Sequence, residues 1–221
     1  MKKALPISPK KQLFKQLAHV AKALAHGARL ELLEALAQGE RSVDVLAHAA
    51  GLPIANTSHH LQVLREGGLV TSRKEGLHVF YRLTSDEVVQ AVSAIRGIGE
   101  KHLEEVARIV RENFEDRDAL TPVRREELLE LVKAGEAVVI DVRPLSEYEA
   151  GHIEGAMSVP LDTLPERLSQ LPKDLEIVAY CRGPYCIFAF EAVEALRRKG
   201  YNARRLEDGF PEWKAEQLPT K

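Results

Sequence analysis

Residues 115–122, Glu-Asp-Arg-Asp-Ala-Leu-Thr-Pro, separate two hydrophobic patterns that cannot share one core. Before them, apolar residues recur at helical spacing in short stretches broken by glycine and proline; after them, apolar runs of strand length alternate with helical stretches. The chain therefore reads as two domains, and 221 residues is long enough for a core in each. Charge divides in a similar way: residues 1–84 carry 12 Lys and Arg against 6 Asp and Glu, a balance of +6, whereas residues 85–221 carry 19 against 27, or −8. One end suits a polyanion and the other repels it. The expected organisation is 1–84, a helix over 85–114, a linker at 115–121 and a second domain over 122–221.

In the first part, the pattern predicts a helix over 9–25 with Ser8 as cap and Pro9 in the first turn, its apolar stripe being Leu13, Leu17, Val20 and Leu24. Helices over 28–38 and 42–50 stop at Gly39 and Gly51, and Ser42 caps the latter. IANTSHHLQVLREGG is a further helix with Leu61 and Leu64 inward, and residues 69–83 alternate as two strands around Lys74-Glu75-Gly76. Short helices followed by a hairpin give the order of a mainly-α winged helix-turn-helix. Asn56, Thr57, Ser58, His59, His60 and Gln62 crowd the start of the helix before the hairpin, where they can meet base edges and phosphates of double-stranded DNA. Arg73, Lys74 and His78 on the hairpin are expected to hold the backbone.

The second part predicts strands at 137–141 and 176–181, shorter ones at AMSVP and ARRL, and helices between them, hence an α/β domain with a mostly parallel sheet. Ligands of such sheets sit beyond the carboxyl ends of the strands. Both cysteines of the chain, Cys181 and Cys186, lie there, in CRGPYC. A thiol at a strand-to-helix turn faces backbone N–H groups and the positive end of a helix dipole, and Arg182 adjoins it, so Cys181 is expected to be a reactive thiolate. Gly183 and Tyr185 complete the loop. The N-terminal MKKALPISPKK lacks the apolar run of a signal peptide, and nothing approaches the roughly 20 apolar residues of a membrane helix. A cytoplasmic protein with no membrane partner is expected, and in that compartment the pair reads as reactive, redox-sensing or inert rather than as a structural bridge.

ALAHGARLELLEAL, NTSHHLQVLREGGLV and HVFYRL resemble the ArsR-type winged-helix regulators across residues 10–113. The resemblance implies a homodimer on a pseudo-palindromic operator, built on the first helix and on a long helix over 85–114, with the helix containing residues 56–62 in the major groove. Where many of that family hold a metal through two cysteines, this sequence has Ser42 and Asp44. The run Glu100, His102, Glu104, Glu105 reads as a solvated face, and neither metal nor cofactor is expected.

DVRPLSEYEAGHIEGAMSVPL, the CRGPYC loop and LEDGFPEW resemble the rhodanese, or sulfurtransferase, domain over about 122–219. The resemblance implies that Cys181 takes sulfane sulfur from thiosulfate, polysulfide or a persulfide and passes it to a thiol acceptor. Asp141, Arg143 and His152 belong to its supporting motif. Phosphatases of this fold close a longer loop with arginine; Cys186 and Ile187 stand there, which argues against phosphate chemistry. Many rhodaneses also carry arginine at position 186, so a thiol there can instead trap a Cys181 persulfide as a disulfide. The functional expectation is a DNA-binding regulator, a repressor relieved when its rhodanese-like domain is loaded with sulfur. The alternative is a working sulfurtransferase with the winged helix as an appendage.

Overall fold

The computed structural model describes residues 8–115 and 121–221, so most of the expected linker lies outside the described residues. The chain forms two compact units, Met1–Val88 and Val89–Lys221.

In the first unit α1 (Pro9–Leu24) begins at Ser8, whose Oγ accepts from Lys11 N at 3.4 Å. Then come α2 (Gly27–Ala37), β1 (Arg41–Ser42), α3 (Val43–Ala49) and α4 (Ile54–Glu66). Ser42 caps α3 by accepting from Val45 N. Leu32, Leu33, Leu36, Leu46, Leu61 and Leu64 are all buried, which fixes the mutual packing of these short helices. Each such side chain contributes about 1.5–3 kcal/mol on leaving water. β2 (Val70–Glu75) and β3 (His78–Leu83) form an antiparallel hairpin, and β1 adds to β3. The turn is Gly76-Leu77 rather than Lys74-Glu75-Gly76, because a two-residue hairpin turn needs a residue of positive φ, and Gly76 supplies one at 59°.

The expected single helix over 85–114 is instead α5 (Glu87–His102) and α6 (Glu104–Val110), followed by a π-helical turn over Arg111–Glu115. Leu103 between them is extended, with φ −112° and ψ 109°. In a straight helix, residues seven apart are separated by about 10 Å along the axis. Here the Val106 methyls lie 3.6–3.7 Å from where a Cβ on Gly99 would sit. The chain therefore bends back and brings Val106 against Gly99. Every residue of α5 from Val89 onward belongs to the second unit.

The second unit continues with α7 (Arg125–Ala134), β4 (Ala137–Asp141), α8 (Leu145–Ala150), β5 (Met157–Ser158), α9 (Leu164–Arg167), β6 (Glu176–Tyr180), α10 (Ile187–Arg198), β7 (Ala203–Arg205) and α11 (Phe210–Ala215). Its four-stranded sheet has the order β5-β4-β6-β7, and all three pairings are parallel. Alternation along the strands divides the core between two faces. Ile140, Ile177, Ala179 and Cys181 pack with Ala192, Val193 and Leu196 of α10, while Val139, Val178 and Tyr180 pack with Leu128, Phe210 and Trp213. Trp213 is buried and donates its Nε1–H to Pro219 O at 2.9 Å.

Candidate functional site

Cys181 follows β6 directly, and Cys186 is the N-cap of α10, so the four residues between them turn the chain from strand to helix. The two cysteines are joined by a disulfide, with their Cα atoms 6.1 Å apart, inside the range that such a bond spans. Cys181 is only 1% exposed, whereas Cys186 is half-buried.

The loop is held on opposite sides. Arg182 makes a bidentate pair with the buried carboxylate of Glu147 on α8, at 2.8–3.1 Å. In this arrangement the pair anchors the loop. A Cys181 thiolate would rest on the backbone N–H groups that open α10, which have no intrahelical partner. On the other side, Gly209 presses its Cα against the loop. A Cβ there would lie 2.3 Å from Gly183 N and 2.4 Å from Arg182 C, so only glycine fits. Phe210 N, next to it, donates to Cys181 O at 3.0 Å.

Tyr185, immediately before Cys186, donates its hydroxyl to the Glu100 carboxylate on α5. The Arg96 guanidinium, also on α5, lies 5.8 Å from the Tyr185 ring centre and pairs with Glu212 at 3.1 Å and Asp208 at 4.0 Å. Asp208 and Glu212 flank Gly209, so α5 grips both the loop and the segment that clamps it. Burial pushes the Asp208 carboxyl above its ordinary range, while Arg125, 3.0 Å away, pulls the other way. Glu100 is therefore not part of a solvated charge run. Among the described residues no group of three or more His, Cys, Asp or Glu is placed to hold a metal ion.

The motif residues Asp141 and Arg143 are fully buried and paired with each other at 2.6–3.1 Å, and Arg143 Nη2 also donates to Gly151 O. Burial opposes the Arg143 charge, but the Asp141 carboxylate outweighs it and holds the pKa above the ordinary arginine value. The His152 ring stacks on Tyr148 at 3.7 Å, with Nδ1 bonded to Tyr148 O. Asp141 ends β4, so its pair with Arg143 ties that strand end to Gly151 O.

On the first unit, Asn56, Ser58, His59 and Gln62 are exposed along α4. Two expected neighbours are not. Thr57 is buried, its Oγ1 donating to Pro53 O, because it sits four residues before Leu61 on the inward face. His60 turns toward His26, with ring centres 4.5 Å apart and Nδ1 buried; desolvation and then the His26 charge lower its pKa. On the hairpin, Arg73 is committed to Glu40, at 2.6–3.0 Å, and to Glu75, which leaves little net charge for a phosphate. His78 Nδ1 lies 3.6 Å from Asp44, and Lys74 is exposed.

The halves match separate families. A helix-turn-helix domain model matches residues 24–73, and a rhodanese-like domain model matches residues 124–216. Over 212 residues, 96% of this chain, the sequence is 43% identical to the HTH-type transcriptional regulator Rv0324 of Mycobacterium tuberculosis, of which it covers 92%. The chain belongs to the ArsR-type winged-helix regulators with a C-terminal rhodanese domain. It is a DNA-binding transcriptional regulator. The regulator is also 37% identical over 94 residues to the biofilm growth-associated repressor of Agrobacterium fabrum, a match covering 42% of this chain and 80% of that protein. The solution structure of a homodimeric winged helix-turn-helix DNA-binding domain from Mycobacterium bovis is 40% identical, covers 47% of this chain and 95% of its own, and has a TM-score of 0.41. Among the described residues, no helix of the regulator is long and apolar enough to cross a membrane.

Sequence reasoning missed Glu147, Arg96 and the contact made by Glu100. Glu147 stands within the quoted DVRPLSEYEAGH motif, but its partner lies 35 positions away. The pair is visible only once the adjacent strands β4 and β6 bring α8 and the loop together at their carboxyl ends.

Proposed function

We propose that this regulator binds operator DNA as a homodimer and that its rhodanese domain lowers operator affinity when Cys181 takes up sulfane sulfur. The sulfur would come from thiosulfate, polysulfide or a persulfide. The observation that carries this reading is the contact of the cysteine loop with α5: Tyr185, bonded to Glu100, is next in sequence to Cys186. A change of bonding at the cysteines acts on the placement of Tyr185, and α5 begins where the winged helix ends. Coupling of this kind acts by stabilising one arrangement of α5 over another, and is typically worth about 5–150-fold in affinity.

The apolar face of α1 supports the dimer. Leu13, Phe14 and Leu17 are 56%, 59% and 52% exposed, and only Ala23 of that helix is buried. A second copy covers such a face by two-fold symmetry and places two α4 helices on two half-sites.

The test is a mobility-shift titration on DNA upstream of the regulator's own gene, with reduced and polysulfide-treated full-length protein. Treatment is expected to weaken binding by at least about fivefold, and Cys181→Ser is expected to abolish the difference. A Cys181→Ser protein that responds like the wild type would place the sulfur chemistry elsewhere and overturn the reading. The same assay tests the DNA face. Asn56→Ala is expected to cost about 1–3 kcal/mol on the operator and almost nothing on scrambled DNA. Equal losses on both would move Asn56 to the phosphate backbone.

A further inference from the structure

A sulfur carrier must keep its persulfide until an outside acceptor reaches it. This loop has its own acceptor. Cys181 is almost fully buried, Cys186 is half-buried, and the Cα atoms of the two are within disulfide reach. The Glu147–Arg182 pair and the backbone contact of Gly209 hold the loop at its strand end, while α10 fixes Cys186 at the other. Proximity of this kind makes the internal exchange effectively unimolecular.

We propose that Cys186 is a resolving thiol, which makes the rhodanese domain a sulfane-sulfur reductase that releases hydrosulfide and ends each loading event as the Cys181–Cys186 disulfide. The proposal rests on the reading that Cys181 accepts sulfane sulfur. In the first step the Cys181 thiolate attacks the outer sulfur of a low-molecular-weight persulfide, R–S–SH. The donor S–S bond breaks, R–SH leaves, and Cys181 holds an S–SH group. In the second step the Cys186 thiolate attacks Cys181 Sγ. The Sγ–Sγ bond forms, the bond to the outer sulfur breaks, and that sulfur leaves with the electron pair as hydrosulfide. Hydrosulfide derives from a stronger acid than an alkyl thiol, so it is the better leaving group. Across both steps the two protein thiols lose two electrons and two protons, and the sulfane sulfur gains them. Two equivalents of a low-molecular-weight thiol reduce the disulfide and reset the loop.

A thiol at position 186 has a consequence for signalling. The lasting state is a covalent clamp on Tyr185, and it outlives the sulfur that caused it.

The experiment uses reduced full-length protein treated under nitrogen with glutathione persulfide, followed by intact-mass measurement and hydrosulfide quantification. The wild type is expected to lose the mass of two hydrogens and to release one hydrosulfide per chain. Cys186→Ser is expected to gain the mass of one sulfur and release none, and Cys181→Ser to do neither. A wild type that keeps the added sulfur without releasing hydrosulfide, or a Cys186→Ser protein that releases as much as the wild type, overturns the proposal and leaves the loading reading intact. A Cys186→Ser protein that gains no sulfur, or that gains a whole glutathione instead, overturns the loading reading and the proposal with it.

Discussion

Asp141→Ala is expected to lower the unfolding free energy of the second unit by about 3–5 kcal/mol, because it removes the bidentate countercharge of a buried guanidinium, that of Arg143. Both side chains of the pair are inaccessible to water, and the carboxylate receives the Arg143 backbone N–H as well as the guanidinium. Gly151 O also accepts from the guanidinium, but a carbonyl dipole cannot replace the full charge of the carboxylate. Urea denaturation followed by circular dichroism reads the loss. The double change Asp141→Leu with Arg143→Met is expected to cost less than Asp141→Ala alone, since it removes both charges together and leaves none unpaired. A single-variant loss under about 1 kcal/mol would mean that water reaches the pair, contrary to its burial.

If the proposed dimer is built on α1, Leu17→Asp is expected to leave the regulator monomeric. Leu17 lies mid-way along the exposed face of α1, between Leu13 and Val20. Two-fold symmetry brings the new carboxylate into the interface twice. Truncating a central apolar anchor costs about 2 kcal/mol or more, so two copies cost about 4 kcal/mol, or roughly a thousandfold in the dimer dissociation constant. Operator affinity falls with it, because a monomer engages a single half-site. Light scattering after size-exclusion chromatography, beside the mobility shift, measures both. A Leu17→Asp protein that remains dimeric would remove α1 from the interface and leave its apolar face without a second copy to cover it.

What the sequence could disclose depended on the distance over which each feature is determined. Helix starts at Ser8 and Ser42, the inward Leu61 and Leu64 and the parallel strands at 137–141 and 176–180 are local features, set by caps, periodicity and short apolar runs. The position of Thr57 was legible too, since 57, 61 and 64 share one helical face, but the crowd of polar neighbours hid it. The break at Leu103 was harder to see. No proline marks it, and the contact that accompanies it, Val106 against Gly99, joins residues seven apart. Partner choice was out of reach altogether. Arg73 meets Glu40 across 33 residues, and Tyr185 meets Glu100 across 85, and nothing in either neighbourhood names its partner. The loop cysteines were visible as candidates; what anchors them and what reads them depends on the assembled unit.

Trp213 is the single tryptophan of the chain, and it lies in α11, a few residues beyond the glycine that clamps the cysteine loop. The winged helix contains none, so its unfolding is dark in tryptophan emission. Fluorescence excited at the red edge of protein absorption therefore gives a one-colour view of the rhodanese domain alone. Melting of the two units can be separated without cutting the chain or attaching a label, by comparing that signal with one that sees every helix.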